Sequence, residues 1–182
     1  MSGPYDDIHM PKVSAELDYE CELGVVIGTR CRHVSVEKAA SVIAGFTVTN
    51  DVSVRDWQMR SPTATLGKSW DTHGPVGPWI ITPDEVGNPH DLKISTIVDG
   101  DIRQSSNTSE MIFNCFEQIS YLSTVMTLEP GDILATGTPA GVGALAEPQN
   151  FLKVGETVRI EIEKIGAIEN RVIDEPVLEL PV

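Results

Sequence analysis

The chain has 182 residues, a length typical of one domain with a substantial core, and we predict a single domain over residues 1–182. Acidic side chains outnumber basic ones by 27 to 13, which gives a net charge of −14. A surface of this charge repels nucleic acids and anionic membranes, so we expect neither as a partner. No apolar run approaches the roughly 20 residues that span a bilayer, and residues 1–7 do not resemble a signal peptide.

The three cysteines, Cys21, Cys31 and Cys115, form no C-x-x-C pair. An odd number of cysteines without metal-binding spacing is typical of small apolar residues in a reducing compartment. We therefore expect a cytoplasmic protein, or a protein of an organelle matrix after cleavage of a leader.

Strand patterns dominate the first half of the chain. Residues 17–28 are rich in β-branched and apolar side chains and predict a strand. Residues 36–44 have a helix-forming composition, and residues 46–49 and 79–82 predict two further strands. Six prolines and glycines between residues 62 and 78 predict a loop without regular structure.

A hairpin and a long helix are predicted next. Asp99-Gly100 is a strong turn dipeptide between two apolar runs. Asn107 with Glu110 three residues later predicts the start of one long helix, whose apolar stripe continues to Met126.

The C-terminal third returns to strand patterns. Residues 132–135 predict a strand that leads into residues 136–143, a segment of small residues. Residues 156–163 and 167–173 alternate polar and apolar side chains, which predicts an antiparallel pair. Many strands, two helices and long connections favour a β-rich α+β domain over a doubly wound parallel sheet.

Two glutamates, Glu20 and Glu22, lie two residues apart in the first predicted strand. Alternate residues of a strand face the same side, so their carboxylates project together from backbone positions roughly 7 Å apart. Such a pair repels unless a positive charge lies between the two groups, and a hard divalent cation is the natural candidate. An exposed strand face with two solvated acids is the alternative reading of this segment alone.

A third carboxylate, Asp51, directly follows the strand predicted at residues 46–49. A strand end beside a loop is a common place for a ligand, because the backbone is held while the side chain is accessible. With Glu20 and Glu22 it would form a three-carboxylate site suited to Mg²⁺ or Mn²⁺. As a lone residue, Asp51 in Asn-Asp is more typical of a turn.

Cations and an amide follow closely. Arg55 and Gln58 lie within seven residues of Asp51, and Lys68 follows Gly67, which permits close approach of the backbone. Three carboxylates exceed the charge of a divalent ion by one, so Arg55 and Lys68 would offset the excess and bind an anionic substrate. Considered separately, each cation is more typical of a surface residue.

Other candidate groups have less support. The backbone amides of residues 136–143 and the Thr138 hydroxyl could cradle a carboxylate, but the segment lacks the Gly-Lys-Ser/Thr of a P-loop. We interpret His73, which is near Lys68 in the sequence, as structural rather than catalytic, and His33 has no supporting context. No Gly-x-Ser-x-Gly is present to support a serine hydrolase.

Four ordered motifs together resemble the fumarylacetoacetate hydrolase family, over about residues 5–172. They are the segment Glu20-Cys21-Glu22-Leu23-Gly24-Val25-Val26-Ile27-Gly28, the segment Asn50-Asp51-Val52-Ser53-x-Arg55-Asp56-x-Gln58, the tripeptide Gly67-Lys68-Ser69, and the segment Pro130-Gly131-Asp132-x-x-x-Thr136-Gly137-Thr138-Pro139-x-Gly141-Val142-Gly143. The resemblance implies a mixed β-sandwich roll, usually assembled as a homodimer.

The resemblance also implies the roles of individual residues. The divalent metal, Mg²⁺ or Mn²⁺, would be held by Glu20, Glu22 and Asp51. A small anionic 2-oxo acid would contact Arg55, Gln58 and Thr138. It would also contact Lys68, which would be catalytic as well. The implied reaction is hydrolysis of a C–C bond in an acylpyruvate or fumarylpyruvate through a metal-bound enolate. Decarboxylation of oxaloacetate and isomerisation of a hydroxy-diene dioate share that intermediate and are alternatives.

One part of the family pattern has no match. The family carries a lid segment ahead of the first glutamate, with a histidine and a glutamate that activate water. The 19 residues before Glu20 contain no Asn-Tyr-x-x-His-x-x-Glu, and His9 lies in what resembles the connection into the strand. We therefore expect a domain without this lid, as a piece of a longer protein or with altered water activation. A catalytically impaired, metal-binding oligomer is the corresponding alternative to an enzyme, and a metal-independent anion-binding module is a third.

Overall fold

The structure, a computed structural model, describes residues 1–177. In this range eleven strands are present: β1 (Ile8–Met10), β2 (Leu17–Asp18), β3 (Cys21–Ile27), β4 (Ile43–Asn50), β5 (Ser53–Val54), β6 (Val76–Ile81), β7 (Lys93–Val98), β8 (Asp101–Asn107), β9 (Ile133–Ala135), β10 (Thr157–Ile162) and β11 (Gly166–Asp174). The α-helices are α1 (Val36–Ala39), α2 (Arg55–Gln58), α3 (Thr65–Lys68), α4 (Pro83–Val86) and α5 (Cys115–Val125). Short 3₁₀ helices occur at Ala40–Val42, Thr108–Glu110 and Gly143–Leu145.

The strands form three sheets. One has the order β1-β11-β10-β7-β8, the second has the order β6-β4-β3-β9, and β2 pairs with β5 in a short ribbon. β1 runs parallel to β11, and the other pairings between these strands are antiparallel. This strand-rich mixed architecture confirms the predicted α+β class.

Apolar side chains from the two larger sheets meet in one hydrophobic cluster. All seven residues of β3 are buried, whereas β10 buries only alternate residues. Leu23 of β3 and Ile160 of β10 are both fully buried, so truncation of either to alanine would cost about 2–5 kcal/mol. The strand that carries Glu22 therefore lies inside the molecule, held by packing on both of its faces.

The prediction of one strand over residues 17–28 was wrong in one respect. β2 ends at Asp18 and β3 begins at Cys21, because the two strands have different partners, β5 and β4. At the break the Tyr19 amide donates to the Asp18 carboxylate at 2.9 Å. The Glu20 amide donates to the Asn50 side chain at 3.0 Å.

The predicted long helix is shorter than expected and begins later. α5 spans Cys115–Val125 and is capped by Asn114, whose side chain accepts from the amides of Phe116 and Glu117. Asn107 ends β8 instead, and its side chain accepts from the Ser109 amide. Pairing of Asn107 with Lys93 of β7 extends β8 through the predicted start of the helix. Within residues 1–177 no helix is long and apolar enough to cross a membrane.

Two other element predictions need correction. The helix predicted at residues 36–44 gives way to a 3₁₀ turn, and the β-branched Ile43 already belongs to β4. The predicted loop between residues 62 and 78 contains α3 and the start of β6. β6 tolerates Pro78 because it lies at the edge of its sheet, where an amide is not required for pairing.

The predicted hairpin and the C-terminal strand pair are confirmed. β7 and β8 pair across Asp99 and Gly100, whose φ angles of 48° and 92° are the positive values that a two-residue hairpin turn requires. β10 and β11 pair antiparallel from Thr157 with Arg171 to Ile162 with Gly166.

Candidate metal centre

Three carboxylates converge where β3 begins and β4 ends. Cys21 pairs with Asn50, and the Asp51 amide donates to the Glu20 carbonyl at 3.1 Å. This register places Asp51 beside the two glutamates, and carboxylate oxygens of Glu20, Glu22 and Asp51 all lie within 4.8 Å of one another. Glu20 and Glu22 are only 8% and 3% exposed, so the alternative of two solvated acids on a strand face does not apply.

Burial of these acids has an electrostatic cost. Desolvation raises the pKa of Glu22 to about 8, although the Gly137 amide, which donates to its Oε2 at 3.0 Å, opposes the rise. Desolvation also raises the pKa of Asp51, opposed by the hydrogen bond from Lys68. The folded chain thus holds carboxylates whose ionised forms need more positive charge nearby.

Two cations face the cluster. Lys68 Nζ lies 2.7 Å from Glu20 Oε2 and 2.7 Å from Asp51 Oδ2. Arg55 donates to Glu20 Oε1 at 2.6 Å and, through Nε, to Asp18 Oδ2 at 2.8 Å. Burial disfavours the Lys68 ammonium, but its two carboxylate partners outweigh burial and raise its pKa. Lys68 is therefore a protonated hydrogen-bond donor at neutral pH.

The charge balance and the donor atoms fit a divalent ion. When all are ionised, four carboxylates face two cations, so two negative charges remain. Hard carboxylate oxygens are the ligands that Mg²⁺ and Mn²⁺ prefer. Glu20, Glu22 and Asp51 would hold such an ion.

Local packing positions the candidate substrate-binding residues. Gln58, at the end of α2, accepts from Arg55 Nη1 at 3.0 Å. A Cβ atom added at Gly67 would lie 2.5 Å from the Cβ of Gln58, so only glycine lets α3 approach α2 this closely. That approach brings Lys68, the next residue, to the carboxylates.

The segment of small residues 136–143 is tethered to the same region. Gly137, with φ of 99°, directs its amide to Glu22. Further along, the Tyr19 hydroxyl donates to the Gly141 carbonyl at 3.0 Å, and the Gly143 amide donates to Asp18 at 2.7 Å. Thr138 is half-buried, and its hydroxyl contacts the side chain of Gln104.

Sequence reasoning missed Asp18 and Gln104. Asp18 is fully buried and accepts from Arg55 and from three backbone amides, those of Tyr19, Gly143 and Ala144. It lies two residues before Glu20 with the same spacing as Glu22, a signal that could have identified it. Gln104 lies in the polar strand β8, whose sequence contains no comparable signal.

Among residues 1–177, neither His73 nor His33 forms a hydrogen bond or ion pair with Glu20, Glu22 or Asp51. His73 is buried beside Trp70, with ring centroids 5.8 Å apart, and its Nε2 lies 2.9 Å from the His9 carbonyl oxygen. Burial lowers its pKa, so the ring is neutral in this environment. These contacts agree with a structural role, as expected. His33 is exposed, in a turn with positive φ.

Comparison with known proteins places this geometry in a family. A mitochondrial oxaloacetate tautomerase of Rattus norvegicus is 49% identical over 172 residues, which are 94% of this chain and 55% of the relative. The chain thus spans about half the length of the curated relatives that it matches.

Solved structures that are similar to this chain in sequence also share its fold. A 2-hydroxyhepta-2,4-diene-1,7-dioate isomerase of Mycobacterium marinum is 41% identical, with a TM-score of 0.87 over 95% of this chain and 65% of its own. A maleylpyruvate hydrolase of Sphingobium sp. SYK-6 is 36% identical, with a TM-score of 0.85 over 96% of this chain and 61% of its own. At the level of sequence, the family model for the fumarylacetoacetate hydrolase C-terminal domain matches residues 1–173. The chain therefore belongs to the fumarylacetoacetate hydrolase family.

Proposed function

We propose that this chain carries the catalytic site of a divalent-metal-dependent enzyme that acts on small 2-oxo acids by enolate chemistry. The observation that carries the proposal is the cluster of Glu20, Glu22 and Asp51, with oxygens within 4.8 Å of one another and Lys68 bound to two of them. A Mg²⁺ or Mn²⁺ ion held there supplies Lewis acidity to the oxygens of a chelating 2-oxo acid.

The side chains around the cluster have complementary roles. Lys68, held protonated by its carboxylate partners, donates a hydrogen bond to the oxygen on which negative charge develops. Arg55 and Gln58 bind and orient the anionic substrate, in agreement with their mutual hydrogen bond at the edge of the cluster. Thr138, in the segment of small residues 136–143, donates its hydroxyl to the same 2-oxo acid.

Within this chemistry the favoured reaction is keto–enol tautomerisation of oxaloacetate. The three mitochondrial relatives with 49% identity are named oxaloacetate tautomerases. Tautomerisation requires a stabilised enolate and a proton transfer, and the cluster with Lys68 supports the first requirement directly.

Hydrolysis of an acylpyruvate, the reaction predicted from the sequence, is the second candidate. It is favoured by the similarity to a maleylpyruvate hydrolase and passes through the same kind of enolate, but it also requires an activated water. Isomerisation of a diene dioate and decarboxylation of oxaloacetate share the enolate and belong in the same assay panel.

The decisive experiment measures turnover by the chain with Mg²⁺, with Mn²⁺ and with EDTA. Loss of the oxaloacetate enol is followed by ultraviolet absorbance, and acylpyruvate cleavage and decarboxylation are followed in parallel. Buffer with the same metal provides the blank, because free ions themselves promote enolisation. We expect metal-dependent tautomerisation that Glu20→Gln abolishes and that the exposed control Glu37→Gln retains. No turnover of any substrate above the blank would contradict the proposal.

The family resemblance also supports a homodimer. We propose this state for the chain, and light scattering coupled to gel filtration tests it. A mass near twice 19.8 kDa is expected, and a mass of 19.8 kDa at assay concentration would contradict it.

A further inference from the structure

Gln104, in the middle of β8, makes an unusually complete set of hydrogen bonds. Its side chain is 1% exposed. Oε1 accepts from the Cys21 amide at 3.2 Å and from the Thr96 hydroxyl at 2.7 Å. Nε2 donates to Thr138 Oγ1 and to the Pro139 carbonyl, both at 2.8 Å. Every hydrogen-bonding position that a primary amide commonly uses is thereby occupied.

Two backbone groups determine which way the amide points. The Cys21 N–H can only donate, so it must face the amide oxygen, and the Pro139 carbonyl can only accept, so it must face the NH₂ group. A flipped amide would place two donors together on one side and two acceptors together on the other. The orientation of Gln104 is therefore determined by the backbone and not by a choice between similar atoms.

This orientation determines the role of the Thr138 hydroxyl. Because Gln104 Nε2 donates to Thr138 Oγ1, the hydroxyl oxygen is an acceptor toward Gln104 and its own hydrogen points elsewhere. Thr138 also lines a surface cavity of about 680 Å³, so a small molecule can reach it. The carboxylates themselves are not part of this cavity's lining, but Gly137 lines it and donates its amide to Glu22, so the cavity adjoins the cluster there. Carboxylate and enolate oxygens only accept hydrogen bonds, and a hydroxyl free to donate is what they require.

The same amide reaches the candidate metal ligands. Cys21 lies between Glu20 and Glu22, so the bond from its amide ties Gln104 to the backbone that carries both carboxylates. Residues 83 positions apart in the chain are joined in this way. One buried side chain thus links the segment with the metal ligands to the segment with the Thr138 hydroxyl.

We propose that Gln104 is a positioning residue that holds the Thr138 hydroxyl as a donor toward the bound 2-oxo acid, at a set distance from the metal ligands. The inference rests on the proposed function, since it concerns the same site. Gln104 itself acts through Thr138 and does not touch the ligand.

Gln104→Glu tests the proposal with little change in shape. The carboxylate can still accept from Cys21 and Thr96, but it has no NH₂ group, so the Thr138 hydroxyl turns to donate to it and is lost to the ligand. The probe is oxalate, whose two carboxylates resemble the oxygens of a 2-oxo acid enolate, titrated calorimetrically in the presence of Mg²⁺. We expect oxalate to bind about tenfold or more weakly. The Mg²⁺ affinity measured alone should change by less than about threefold in the uncharged variant Gln104→Met, which adds no negative charge beside the ligands.

Matched variants separate positioning from stability. Thr138→Val should weaken oxalate to a similar extent, and combining it with Gln104→Glu should add no further loss. Thr96→Val removes a buried donor from the other side of the same amide, and it should leave oxalate affinity unchanged even if the melting temperature falls. Gln104→Met, which has neither charge nor donor, provides the comparison if Gln104→Glu does not fold, and it should also weaken oxalate.

The outcomes distinguish failure of the role of Gln104 from failure of the proposed function. Wild-type protein that binds oxalate and turns over a 2-oxo acid, together with Gln104→Glu and Gln104→Met variants that bind oxalate equally well, would overturn the role of Gln104 alone. Wild-type protein that neither binds oxalate with Mg²⁺ nor turns over a 2-oxo acid would overturn the proposed function and this inference with it.

Discussion

The ammonium of Lys68 lies 2.7 Å from a carboxylate oxygen of Glu20, a residue 48 positions earlier in the chain. The same nitrogen is 2.7 Å from Asp51, so one cation binds two of the three candidate metal ligands. In the proposed function, the ammonium held by these bonds donates to the substrate oxygen on which negative charge develops. The lysine therefore links the electrostatics of the ligand cluster to the proposed chemistry.

Replacing this lysine should damage catalysis more than metal binding. In Lys68→Met a donor to the developing oxyanion is lost, which typically costs about 10²-fold or more in kcat. Mn²⁺ should bind at least as tightly as in wild type, because the ammonium no longer competes for Glu20 and Asp51. Steady-state kinetics and calorimetric titration measure the two effects, with the exposed Lys38→Met as the control. Unchanged kcat in Lys68→Met would contradict the assigned role.

Metal binding should be visible as a gain in stability. An ion that binds only the folded state at a hundredfold excess over its Kd adds about 2.7 kcal/mol, which for a chain of this size raises Tm by roughly 5–10 °C. Glu22→Gln and Asp51→Asn should each remove this gain, whereas Glu37→Gln should keep it. Differential scanning fluorimetry with MgCl₂, MnCl₂ or EDTA measures the shift. An equal Tm gain in Asp51→Asn and wild type would show that the stabilising ion binds elsewhere.

Loss of the Asp18 carboxylate should destabilise the fold. Asp18 is fully buried, and it joins the Arg55 guanidinium to the backbone near Gly143. Asp18→Asn leaves Arg55 short of one buried counter-charge, and breaking such a pair costs about 3 kcal/mol or more. Urea unfolding measures the loss, and the exposed Asp101→Asn should change stability by less than about 0.5 kcal/mol. Similar unfolding midpoints for the two variants would refute the structural importance of this pair.

His73 predicts a dependence of stability on pH. Burial lowers its pKa below the usual 6.5, so between the folded and unfolded values the unfolded chain binds more protons. The free energy of unfolding therefore falls as the pH drops below about 6.5, and the contribution from His73 is fully present above that value. His73→Gln, which titrates nowhere in this range, should flatten this part of the profile.

The matched control for this experiment is His33→Asn, at an exposed turn where asparagine tolerates the positive φ. Urea unfolding at several pH values between 5 and 8 measures both profiles. If His73→Gln and wild type lose stability in parallel on acidification, another group is responsible for the loss.

Helix boundaries illustrate where local patterns are insufficient. Asn107 with Glu110 and Asn114 with Glu117 are two capping signals of the same kind, seven residues apart. Only the second caps α5, because β8 pairs with β7 through Asn107. The pairing partner lies outside the local window, so the sequence pattern contains no information that chooses between the two signals.

Periodicity and turn chemistry alone determined a large part of this protein. Alternation predicted that Glu20 and Glu22 share one side, and Asp99-Gly100 marked a hairpin, because these signals depend on neighbouring residues. The four ordered motifs, spread along the chain up to Gly143, carried the resemblance to the family. Long-range pairing decided the rest. The register of β3 with β4 buried the glutamates and brought in Asp51, and the fold placed Asp18 and Gln104 against the segment of residues 136–143. Such contacts join distant parts of the chain, so they arise only when the sheets pack together.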